Sequence, residues 1–145
     1  YVQECLQHLG IETDHIAIRT LYSGVADYPE MAANPDKRIR VHGTQYLLES
    51  LNADDRLLLV DDVFSSGQTL DVVTARLTQR LKRNMPKNTK TATIWARTGE
   101  DSKARRPDYY LHETDNWLVL PYELTGLSTD EIEKNKPLIA DLARN

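Results

Sequence analysis

Cysteine is nearly absent: Cys5 stands alone among 145 residues, so no disulfide can form within the chain. It falls in a helical pattern with Val2, Leu6 and Leu9, where a buried structural thiol is expected. Long apolar runs are lacking as well. No stretch approaches the roughly 20 residues of a membrane-spanning helix, and no basic leader precedes an apolar core, so a cytoplasmic protein with no membrane partner is expected. Positive charge is not in excess, since 18 Lys and Arg against 22 Asp and Glu leave a net charge of −4, which argues against nucleic acid as a partner. No internal repeat is evident. What remains is a chain that is 40% hydrophobic and 28% charged, the balance of a soluble globular protein, and 1–145 is one domain's worth of sequence. It opens on Tyr1 and enters a helical pattern at once, so residues are expected to precede it.

The apolar spacing predicts a helix from Val2 to Leu9 with Gly10 as its C-cap, then a strand over His15–Thr20 with Ile16 and Ile18 on one face. Leu21–Asp36 carries Gly24, Pro29, Asn34 and Pro35 with no apolar period, the pattern of a long loop that covers a site. A short strand Ile39–His42 follows, then a helix Gln45–Leu51 capped by Thr44, with Tyr46, Leu47 and Leu51 facing a sheet. Leu57–Val60 shows no polar alternation, which predicts a strand buried on both faces and ending in Asp61 and Asp62. A polar turn leads to a helix near Thr69, where Leu70, Val73, Leu77 and Leu81 form one stripe. Thr91–Ala96, Asp108–Leu111 and Trp117–Leu120 read as further strands, the last of them buried. Ser128 with Glu131 marks a capping box, and Pro137 can open a final helix. Helices alternating with strands predict an α/β fold with a mainly parallel sheet flanked by helices.

The central segment carries the chemistry. A helix N-terminus offers unpaired N–H groups to an anion, and Ser65, Ser66, Gly67, Gln68 and Thr69 lie where those donors would be, with Phe64 leading in. Gly67 permits close approach of a phosphate, and the Ser66 and Thr69 hydroxyls add donors. Two adjacent aspartates at a strand end repel each other when dry, so ribose hydroxyls or a divalent cation are sensible partners for Asp61 and Asp62. Receiver domains also place acids after an apolar strand, but here Thr91–Ala96 runs into Arg97 without the phosphoacceptor aspartate they need.

The run Leu58-Leu59-Val60-Asp61-Asp62-Val63-Phe64-Ser65-Ser66-Gly67-Gln68-Thr69-Leu70 resembles the phosphoribosyl pyrophosphate signature of the type I phosphoribosyltransferases. Arg106-Pro107-Asp108-Tyr109-Tyr110, followed by Trp117-Leu118-Val119-Leu120-Pro121-Tyr122-Glu123, is similar to the base-binding end of the hypoxanthine, guanine and xanthine enzymes, especially the short bacterial kind. The resemblance implies that Asp61 and Asp62 contact the ribose diol and that the turn from Phe64 through Thr69 holds its 5′-phosphate. It also implies that Trp117 stacks on the purine, that the backbone near Leu118 reads its edge, and that Asp62 and Glu123 stand near Mg2+ and pyrophosphate. Arg97 occupies the place of a lysine that donates to the purine's exocyclic oxygen. Ser65 takes a catalytic position where the family usually has an aspartate, and serine is too weak a base for that part unaided.

By the same resemblance Tyr22–Asn34 is a mobile hood over the reaction, the active protein is a homodimer or homotetramer, and an early glycine-containing pyrophosphate loop lies upstream of Tyr1. The implied activity is magnesium-dependent transfer of 5-phosphoribosyl to N9 of a 6-oxopurine in purine salvage. The alternatives are a phosphoribosyltransferase for another base, and a regulator that binds nucleotide with little turnover, for which Ser65 is the motive.

Overall fold

The structure, a computed structural model, describes residues 1–22, 39–98, 105–124 and 127–139. It divides into two compact units, Tyr1–Asp115 and Asn116–Asn145. The hood expected within 21–36 falls almost wholly outside the described residues.

In the first unit, helix α1 (Val2–His8) ends as its glycine predicts. Gly10 takes φ +78°, its N–H donates to the Gln7 carbonyl at 2.9 Å, and the Ile11 N–H donates to the Leu6 carbonyl at 2.9 Å. That pair of bonds is a Schellman ending. The helix buries no residue, and Cys5 is exposed rather than buried, because among the described residues no part of α1 joins or packs against the core cluster. The first strand is also shorter and later than expected. Residues 11–18 form no regular element, although Ile16 and Ile18 both pack against the core. Strand β1 is Arg19–Tyr22, and it pairs antiparallel with β2 (Ile39–His42), with Arg19 opposite His42.

Helix α2 (Gln45–Ser50) buries Leu47, with Leu48 and Leu51 packed behind it. Thr44 precedes it but makes no capping bond through its side chain. Tyr46 turns outward, where its hydroxyl donates to Asp14.

A parallel three-stranded sheet in the order β3-β4-β5 positions the site: β3 is Arg56–Phe64, β4 Asn88–Arg97 and β5 Tyr109–Thr114. Helix α3 (Gln68–Leu81) connects β3 to a single 3-10 turn, Lys82–Asn84, and so to β4. Its stripe is as the periodicity predicts. Leu70, Val73, Leu77 and Leu81 are all buried and pack with Leu59, Phe64 and Leu47. Burying each such side chain stabilises by about 1.5–3 kcal/mol, and Leu77 has no exposed surface at all.

The expected burial of β3 on both faces does not hold. Leu59 is 6% exposed on the face toward α3, whereas Val60 is 50% exposed, because alternate residues of a strand face opposite ways. Nor does β3 stop at the aspartates: it continues through Val63 and Phe64, which pair with Trp95 and Ala96.

Asp108 fastens β4 to β5 at their starts. Its carboxylate receives the Thr91 N–H at 2.8 Å, the Thr91 hydroxyl at 2.9 Å and the Lys90 ammonium at 2.7 Å. Lys90 first, then the Thr91 N–H, hold the carboxyl down at about 2.

The second unit has helix α4 (Thr129–Asn135), which begins with the expected capping box: Glu131 N–H donates to Ser128 Oγ at 3.3 Å, and Ser128 N–H to Glu131 Oε2 at 2.8 Å. Residues 137–139 are helical, in keeping with Pro137 as an opener. The buried strand expected over Trp117–Leu120 is not formed, for the segment has no strand partner among the described residues and Trp117 is 64% exposed. No helix among the described residues is long and apolar enough to cross a membrane.

Candidate functional site

Parallel pairing brings the carboxyl ends of β3 and β4 together, the edge at which open α/β sheets receive ligands. Asp61, Asp62, Phe64 and residues 65–69 therefore share that edge with Arg97, the last residue of β4. Arg97 Nη1 donates to Ser65 Oγ at 3.3 Å, and Nη2 lies 3.5 Å from the Asp115 carbonyl. The two residues where the chain departs from its family resemblance thus touch each other.

Both aspartates are half-buried and accept the next residue's N–H: Asp61 Oδ1 from Asp62 at 3.0 Å, Asp62 Oδ1 from Val63 at 2.6 Å. Burial is the main force pushing the Asp61 carboxyl above its ordinary value; the Asp62 N–H pulls it back, and the Asp62 charge pushes it up again. A carboxylate held against its solvation in this way gains from any ligand that brings donors or positive charge.

The turn into α3 is built around Gly67, which caps the helix at φ +80°. A Cβ there would lie 2.6 Å from Cζ of Phe64, whose ring is only 2% exposed and belongs to the core. Glycine is needed because the backbone is left-handed and because an aromatic ring fills the space beneath it. Phe64 therefore supports the turn from below.

Ser66 Oγ accepts the Gln68 N–H at 3.4 Å, which leaves the hydroxyl proton for a ligand. Asp71, in the first turn of α3, opposes an anion at this end, and its carboxylate is paired with Arg105. That ion pair offsets the one acid nearest the helix start. Neither partner stood out in the sequence, where 34 positions separate them.

The second unit holds Trp117, Leu118 and Glu123. The exposed indole of Trp117 offers a flat face. Glu123 closes a turn: its Oε2 accepts the Leu120 N–H at 2.8 Å, and its own N–H donates to the Leu120 carbonyl at 3.0 Å.

Among the described residues no three His, Cys, Asp or Glu side chains converge as a metal cage. A single carboxylate such as Asp62 is enough for Mg2+, a hard cation that takes one or two carboxylates and completes its shell with water and substrate oxygens.

No family model matches the sequence, and no curated protein matches it. Among solved structures, it is similar to a purine phosphoribosyltransferase from Pyrococcus horikoshii Ot3, at 30% identity over 61% of this chain and 50% of that one, with a TM-score of 0.43. It is similar to the Helicobacter pylori xanthine-guanine-hypoxanthine phosphoribosyltransferase, at 14% identity over 80% of this chain and 64% of that one, with a TM-score of 0.53. A hypoxanthine phosphoribosyltransferase from Staphylococcus aureus gives 12% identity, 67% and 45% coverage and a TM-score of 0.45. The chain spans less than two thirds of the length of each. The Helicobacter pylori structure bears on the backbone, and with the parallel sheet and its flanking helices it gives this chain a phosphoribosyltransferase-like α/β fold.

Proposed function

We propose that the protein transfers a 5-phosphoribosyl group from phosphoribosyl pyrophosphate to N9 of a 6-oxopurine, in purine salvage, giving a nucleoside monophosphate and pyrophosphate. One observation carries the reading: within a phosphoribosyltransferase-like fold, an acidic pair on β3 leads directly into a glycine-capped helix N-terminus at the carboxyl edge of the parallel sheet. An acidic pair and an anion nest side by side match a ribose phosphate, with its diol on the carboxylates and its phosphate on the N–H groups of residues 65–69.

In the reaction the C1–O bond to pyrophosphate breaks and the C1–N9 bond forms. Asp61 and Asp62 favour the positive charge that builds at the ribose carbon, and they hold the diol so that N9 can approach. Asp62 would hold Mg2+, with Glu123 the further candidate that the resemblance implies, and the ion would supply neutralisation of the leaving pyrophosphate. Arg97 donates to the exocyclic oxygen of the base, and Trp117 and the Leu118 backbone contact the purine. Ser65, already receiving a hydrogen bond from Arg97, does not act as the base, so the purine's proton passes to water or to pyrophosphate.

The test is direct. The full-length protein is supplied with the donor, Mg2+ and, separately, hypoxanthine, guanine and xanthine, and nucleoside monophosphate is expected from at least one. No nucleotide from any of them overturns the reading. Tight nucleoside monophosphate binding by calorimetry without product would favour the regulator instead, the outcome for which Ser65 is the motive.

A further inference from the structure

Three backbone carbonyls of one short segment meet a single ammonium in the second unit. Lys136 Nζ donates to the Leu120 carbonyl at 2.6 Å, to the Pro121 carbonyl at 3.3 Å, and to the Glu123 carbonyl. An ammonium has three N–H donors, and all three are used here. The same segment is tied from within by the Glu123 carboxylate on the Leu120 N–H, so Leu120 is held through both its N–H and its carbonyl. Lys136 is itself fixed. It is the C-cap residue of α4, its backbone N–H donates to the Ile132 carbonyl at 2.7 Å, and the far end of that helix is locked by the Ser128–Glu131 capping box.

We infer that Lys136 is a positioning residue that sets the place of Trp117 and Leu118 by anchoring the chain immediately after them. This rests on the reading of those two residues as base contacts. Among the described residues the segment has no strand pairing to fix its backbone, and Leu118 lies two positions before the anchored Leu120. Water can replace the ammonium at each carbonyl separately, but it cannot hold three carbonyls in one arrangement. Loss of Lys136 therefore costs order in the segment while the helix and its cap persist.

The experiment uses Lys136→Met in the full-length protein. The purine KM is expected to rise by about tenfold, which corresponds to about 1.4 kcal/mol, and by clearly more than the donor KM, which feels the loss only through the anchored carbonyl of Glu123. An unchanged purine KM, or an equal rise in both constants, overturns the inference. If the wild-type protein makes no nucleotide, the reading of the reaction fails on its own, and a second readout decides the role of Lys136. In a Trp95→Phe background Trp117 is the one remaining tryptophan of the two in the sequence. Lys136→Met is then expected to lower its fluorescence anisotropy, and unchanged anisotropy overturns the inference.

Discussion

Asp61 and Asp62 are neighbours with different burdens. Burial pushes the Asp61 carboxyl up, so the folded chain holds that proton more tightly than the unfolded chain does. Its contribution to stability is fully present below the ordinary carboxylate range and is lost as pH rises through the raised value. Asp61→Asn should therefore raise the thermal midpoint of the ligand-free protein at neutral pH, with the advantage shrinking on acidification toward pH 4; a lower midpoint at neutral pH would contradict the burial argument. Asp62→Asn should keep the wild-type circular dichroism and weaken binding of phosphoribosyl pyrophosphate by about tenfold or more, the scale expected when a charged acceptor is lost, as read by calorimetry. Unchanged donor affinity would remove Asp62 from the site.

At the scale of elements, the turn between β3 and α3 rests on a contact between Gly67 and the Phe64 ring. Gly67→Ala should destabilise by about 1–2 kcal/mol for the left-handed backbone and by more for the clash beneath it. In a Phe64→Leu background, which removes the ring atom at 2.6 Å, the penalty should fall toward the backbone share alone. Equal penalties in both backgrounds, measured by denaturant unfolding, would show that the ring does not matter. The Asp108 clamp on β4 and β5 has the opposite sign to Asp61. Its carboxyl is held down at about 2, so its contribution is present above the usual carboxylate range and is lost as pH falls toward that value. The stability gap between wild type and Asp108→Asn should be open at pH 6 and close between about pH 4 and pH 2; a gap independent of pH would mean the charge is not what holds the strands. The stripe of α3 was legible in the sequence because period 3.6 needs only local spacing. Asp108 was legible only as part of a resembling motif, since its partner Thr91 is set by strand register, which no local pattern encodes. Trp117–Leu120 reads as a strand from its apolar run and the proline after it, yet a strand exists only with a partner to pair with. The anchor at Lys136 has no sequence signature, its acceptors lying 13 to 16 positions back.

Across the whole molecule, the first unit is organised around α3, with Leu77 wholly enclosed in the cluster that joins α3 to Leu59 of β3 and Leu47 of α2. Leu77→Ala should cost about 2–5 kcal/mol, because the cavity collapses only in part; a loss below 1 kcal/mol in urea unfolding would place the core elsewhere. The α/β class and the order of strand, turn and helix at the site were legible because each depends on neighbours in sequence. How much of the sheet is covered was not, since that depends on what packs against it from a distance: Val60 and Ile94 look alike to a hydropathy profile, as Leu59 does, but only Leu59 faces a helix. The ring under Gly67 extends from that core to the edge of the sheet. A greasy side chain with no polar atom thus props a polar turn from beneath, and bracing supplied in advance by the core spares a guest part of the affinity it would otherwise spend on ordering the loop.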